Sequence, residues 1–130
     1  MRVLFANAHV TVTYDEARAF VRYTRTHAPF ATLDELRETH DRIELALPRP
    51  MPPNAKLLAD VREAPPRNDE VFEAELTRKL ERFMRHFAAR AVLVKSAVGR
   101  LQVQRLGRPF GADGPAVFDD EARALQHLAR

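Results

Sequence analysis

The strongest constraint on the fold is a succession of three segments. They are "KLLADV" at 56–61, "DEVFEAELTRKLERFMRHF" at 69–87 and "RAVLV" at 90–94. The first and last are short apolar runs, the pattern of strands covered on both faces. Between them Phe72, Leu76, Leu80, Phe83, Met84 and Phe87 recur at helical spacing and form one wide apolar stripe. Asn68 or Asp69 can cap this helix, and Asp69, Glu70 and Glu73 complement its positive end. Two strands joined through a helix pair in parallel, so the segment defines a β–α–β crossover.

The front of the chain follows another pattern. "RVLFANA", "HVTVTY" and "ARAFVRYTRT" alternate with period two, and Asp15-Glu16 marks the turn between the last two. Val10, Val12 and Tyr14 share one face, as do Ala19, Val21 and Tyr23; three short strands in sequence predict an antiparallel meander. Thr32-Leu33-Asp34-Glu35 is a capping box, and Leu33, Leu36, His40, Ile43 and Leu47 extend it into an amphipathic helix over 33–47. "PRPMPPNA" closes that helix with a loop. Towards the end, "PAVF" reads as a strand. Asp119 or Asp120 caps a last helix with Ala122, Leu125 and Leu128 inward. Residues 97–106 fit either a loose helical face (Val98, Leu101, Leu106) or an alternating strand (Leu101, Val103), and helix is the choice adopted. The expected fold is α/β: a mixed sheet whose N-terminal antiparallel meander continues into β–α alternation, with helices packed on the sheet.

The 130 residues are expected to make a single domain. There is no cysteine, which excludes disulfides, thiolate nucleophiles and Cys-ligated metal. The first residues carry no continuous apolar run of the signal-peptide kind, and no segment approaches the roughly 18 apolar residues of a membrane span. Cytoplasmic residence is the expectation.

Charge is unevenly spread. Residues 78–108 carry nine Lys or Arg and one acid, net +8, while the rest of the chain carries 12 bases and 17 acids, net −5. Such a dipolar chain can steer an acidic partner to its basic side, although a solvated arginine-rich face has the same composition. Within the basic stretch Arg100, Gln102, Arg105 and Arg108 suit recognition of carboxylates or phosphates. No aromatic residue is interleaved between 88 and 109, which argues against a stacking platform for single-stranded nucleic acid.

The junction "DVREAPPRNDE" at 60–70 carries the other candidate residues. Arg62, Arg67, Asn68 and Asp69 surround a helix amino end, which attracts anions, yet Asp69 and Glu70 already occupy that end. Asp60 closes an apolar strand, where a lone buried carboxylate is costly. It either lies at the carboxyl-end crevice where open α/β sheets bind ligands, or pairs with an arginine such as Arg62 or Arg100.

The order of elements, "KLLADVREA" before a polar loop and long helix, "RAVLV" after it, and above all the ending "AVFDDEARALQHL" resemble the STAS-like domains, chiefly the stand-alone sporulation anti-sigma-factor-antagonist type. The resemblance covers 55–130 well and 1–50 by element order. It implies a non-enzymatic module that regulates by docking to a protein partner or, in some relatives, by holding a nucleotide or lipid. Phosphorylatable members of that family keep a Ser or Thr where the central strand enters the helix. Here those positions are Pro65, Pro66, Arg67, Asn68 and Asp69, without a hydroxyl, so a phospho-switch is not expected.

No motif calls for a cofactor or a metal. None of the five histidines stands three or four residues from another, and His40, on an apolar helix position, reads as a satisfied core histidine. Ser96 is the sole serine and has no Gly-x-Ser-x-Gly frame. These absences point away from catalysis. A protein partner, acidic in character, and a homodimer through a front edge strand are the assemblies the sequence suggests.

Overall fold

The computed structural model describes residues 1–65, 69–95 and 115–129. Six strands form one sheet in the order of their sequence. They are β1 (Arg2–Ala6), β2 (Val10–Asp15), β3 (Phe20–Arg25), β4 (Lys56–Asp60), β5 (Ala89–Leu93) and β6 (Ala116–Phe118). The first three pair antiparallel and β3 to β6 run parallel. The expected mixed α/β sheet is what forms. A 3-10 turn, Glu16–Arg18, joins β2 to β3, with Asp15 accepting from the Arg18 amide and Ala19 left-handed at φ 51°.

Helix α1 (Leu33–Ala46) begins where Thr32 Oγ1 accepts from the Glu35 amide at 3.1 Å. Glu35 reaches back one residue further than the capping box anticipates, accepting from the Ala31 amide at 3.1 Å. Helix α2 (Glu70–Met84) is capped by Asp69, whose carboxylate accepts from the Val71 and Phe72 amides. Helix α3 (Glu121–Leu128) is capped by Asp120 in the same manner.

The period-two pattern sorts side chains to the two faces of the sheet. On one face Val10, Val12, Val21, Tyr23, Leu57, Ala59 and Val92 meet Leu36, Ile43 and Leu47 of the α1 segment and Phe83 and Met84 of α2. On the other, Leu58, Ala91 and Leu93 meet Ala124 and Leu128 of α3. Burying one such aliphatic side chain stabilises by about 1.5–3 kcal/mol, so the central strands β4 and β5, apolar towards both layers, anchor the fold.

The last helix departs from the sequence expectation. Ala124 and Leu128 point inward, whereas Ala122 is exposed and Leu125 is 40% exposed. Ala124 and Leu128, one turn apart, form the face packed on Leu58, Ala91 and Leu93, and on this rotation Glu121 meets two arginines of the sheet end. The choice of helix for 97–106 lies outside the described residues.

The basic stretch is also less free than its composition suggests. Lys79 pairs with Asp41 at 2.6 Å, and Arg82 with Asp41 at 3.0 Å and Glu44 at 2.6 Å. Arg78 pairs with Glu75 at 2.7 Å, and Arg85 with Glu81. Much of the positive charge on α2 therefore serves to staple it to α1 or to its own acids.

Candidate functional site

Asp60 ends β4 and, alternating with Ala59, points to the α3 side of the sheet. It is 5% exposed, the sole buried carboxylate among the described residues. Arg62, two residues further on, folds back over it. Its Nε donates to Oδ1 at 3.0 Å, its Nη2 to Oδ2 at 2.8 Å, and its backbone amide to Oδ1 at 3.2 Å. That is the two-pronged guanidinium–carboxylate arrangement in which both geometry and charge are matched. Arg22 on the parallel neighbour β3 adds a bond from Nη2 to Oδ2 at 2.9 Å.

The same two Nη2 atoms also face Oε1 of Glu121, the first residue of α3, at 2.6 Å from Arg22 and 3.3 Å from Arg62. Two guanidiniums and two carboxylates thus join β3, β4, the start of the 62–69 junction and α3. Burial pushes the Asp60 carboxyl up. The side-chain and backbone hydrogen bonds from Arg62, followed by that from Arg22, outweigh it and hold the group below its ordinary value. Arg62 is pushed further up from its ordinary value, first by the hydrogen bond to Asp60.

Of the sequence candidates, Asp60 and Arg62 are therefore brought together, and Asp60 takes the pairing reading with Arg62. Asp69 is engaged as the cap of α2. Arg67, Asn68, Arg100, Gln102, Arg105 and Arg108 lie outside the described residues. Arg22 and Glu121 were not singled out from sequence. A buried carboxylate signals that partners exist, but only the register of β3 against β4, with Arg22 opposite Leu58 and Thr24 opposite Asp60, brings Arg22 within reach.

A second polar region lies where the β1–β2 turn meets α1. An open cleft of about 280 Å³ is lined by Phe5, His9, Glu35, Glu38, Thr39 and Arg42 among others. His9 Nε2 is 2.7 Å from Glu35 Oε1, and Nδ1 donates to the Ala28 carbonyl at 3.1 Å. Asn7 Nδ2 donates to Thr39 Oγ1 at 3.1 Å, while Asn7 Oδ1 accepts from the His9 and Val10 amides.

Deeper in the same layer His40 is the satisfied core histidine the sequence suggests: both ring nitrogens are bonded, to Leu36 O and Tyr23 Oη. Every buried side-chain nitrogen and oxygen among the described residues has a hydrogen-bond partner. Among those residues no cluster of three His, Asp or Glu could hold a metal ion. No helix among them is long and apolar enough to cross a membrane.

Comparison with protein-family models, with curated proteins and with solved structures finds no match to this chain.

Proposed function

We propose that this chain is a non-enzymatic regulatory module of STAS-like type that docks to a protein partner through the sheet end formed by β3, β4 and α3. The single observation that carries this reading is the state of Asp60. Its two oxygens accept from Arg62 and Arg22, so the buried carboxylate of the sheet end is engaged as an anchor. A general acid or base needs a proton or lone pair directed at substrate. Here that capacity holds Arg62 in place at the head of the 62–69 junction. Side chains already ordered lose less entropy on association, which suits a recognition surface.

The resemblance of the later part of the chain to STAS-like domains supports the same reading. Pro65, Pro66, Arg67, Asn68 and Asp69 carry no hydroxyl, so signalling through this junction works by presented charge. The partner is a protein, acidic in character, met in the cytoplasm. Arg67, Asn68, Arg100, Gln102, Arg105 and Arg108, outside the described residues, are proposed as further partner-binding residues on their chemistry alone, and nucleic acid is disfavoured.

Affinity capture of partners with the wild-type chain and with an Arg62→Glu variant, followed by titration of the purified partner, tests this. Loss of binding with unchanged circular dichroism is the expected result. Equal affinity for both chains overturns the surface assignment.

A small-ligand function, for a lipid or nucleotide, has the cleft beside His9 and Glu35 in its favour. Native mass spectrometry separates the two: a stoichiometric co-purified small molecule replaces docking with ligand carriage.

A further inference from the structure

We infer that Arg22 and Arg62 form a carboxylate-binding site, and that Glu121 occupies it in place of an acidic side chain from the partner. The inference rests on the docking reading and names the group that surface takes. The two carboxylates of the cluster are not equivalent. Asp60 is held by both oxygens, from two side chains and a backbone amide, and its side chain is 8% exposed. The Glu121 side chain is 40% exposed and engages through Oε1 alone among the described residues, at 2.6 Å from Arg22 and 3.3 Å from Arg62. One carboxylate is built in; the other is held at the rim.

Charge balance gives the ligand class. Arg22, Arg62 and Asp60 together carry one net positive charge, which Glu121 neutralises. An incoming Asp or Glu side chain carries the same single negative charge and the same two acceptor oxygens, so it substitutes for Glu121 without disturbing Asp60. A phosphate dianion would leave excess negative charge beside a buried carboxylate. Glu121 stands in the first turn of α3, where only its side chain need swing away for the site to open. An exposed ion pair of this kind holds its place by at most a few fold in equilibrium constant.

The test uses the full chain and a fluorescein-labelled peptide of alternating Glu and Gly, read by anisotropy at low salt. Glu121→Gln is expected to tighten peptide binding about fivefold, the scale of one exposed ion pair. Adding Arg22→Gln in that background is expected to return the affinity to the wild-type level or below. Thermal melts establish that each variant is folded. Unchanged or weaker binding by folded Glu121→Gln overturns the proposal and makes Glu121 a staple for α3 alone. Displacement of the peptide by inorganic phosphate more effectively than by acetate, at equal ionic strength, overturns the carboxylate assignment.

The two readings fail separately. Partner binding that depends on Arg62 but ignores Glu121→Gln leaves docking standing and removes this inference. Partner and peptide binding that ignore both arginines remove both.

Discussion

Tyr23 donates its hydroxyl hydrogen to Nε2 of His40 across 2.9 Å of buried core. The direction follows from the other side of the ring. His40 Nδ1 lies 2.9 Å from the Leu36 carbonyl, which only accepts, so Nδ1 carries the hydrogen and Nε2 offers a lone pair. Arg25 lies close by, its guanidinium over the Phe30 ring at 4.6 Å. Burial pushes the Tyr23 phenol up to about 12, with Arg25 opposing it. Tyr23→Phe removes the donor and leaves a buried acceptor unpaired, which costs about 1–3 kcal/mol. Urea denaturation should show that loss with an unchanged m-value. A double-mutant cycle with His40→Leu should recover part of it, because the orphaned acceptor is then gone.

His40 also makes stability depend on pH. Burial lowers it from 6.5 to about 4, with the Leu36 hydrogen bond opposing and the positive charges of Arg25 and Lys79 adding to the fall. Between those values the unfolded chain binds a proton that the folded chain refuses, so stability falls as pH drops from 6.5 towards 4. The full window amounts to about 3 kcal/mol. Denaturation midpoints measured from pH 7.5 down to 4.5 should decline, and the His40→Leu series should be flatter over the same range. Equal slopes for the two chains would refute this.

The Asp60 cluster predicts an order among substitutions. Asp60→Ala strips both arginines of their buried acceptor and should cost about 3 kcal/mol. Arg22→Met should cost about 1 kcal/mol, because Arg62 still holds both oxygens of Asp60. Asp60 is depressed below 3.8, so its contribution is present above that value and is lost as pH falls below it. Acid titration should thus show wild type and Asp60→Ala converging in stability at the acid end, while the gap between them is constant above pH 5.

Strands and helices were legible in the sequence because their signals are local. Period two in "HVTVTY", the cap at Thr32 and the stripe from Phe72 to Phe87 each lie within one segment. Asp60 was legible as a residue needing a partner, and Arg62, two positions away, was within reach of sequence reasoning. Arg22 was not, because its proximity depends on which strand neighbours β4 and in what register. The inward face of α3 was misread for a related reason: Ala122, Leu125 and Leu128 and the pair Ala124 and Leu128 are both helically spaced, and only the contact with Leu58, Ala91 and Leu93 of the sheet selects the second. The basic stretch lost part of its apparent freedom in the same way, since the acids that neutralise Lys79 and Arg82 come from α1.

That last pairing supports a prediction of its own. Lys79 is 8% exposed at the side chain, while its partner Asp41 is 45% exposed, and the two meet at 2.6 Å. Asp41 also receives Arg82 at 3.0 Å. Desolvation pushes the Asp41 carboxyl up, yet the hydrogen bond and charge of Lys79, followed by Arg82, bring it below its ordinary value. The two partners are therefore not interchangeable under mutation. Lys79→Met replaces a buried ammonium by an apolar side chain of similar length and leaves Asp41 both water and Arg82, so the cost should be under about 1 kcal/mol. Asp41→Ala leaves the ammonium buried without its carboxylate, and should cost about 2 kcal/mol or more. The double variant should be more stable than Asp41→Ala alone, since the stranded charge is then absent. Thermal unfolding of the three chains at pH 7 checks the order, and a double variant less stable than Asp41→Ala would contradict it.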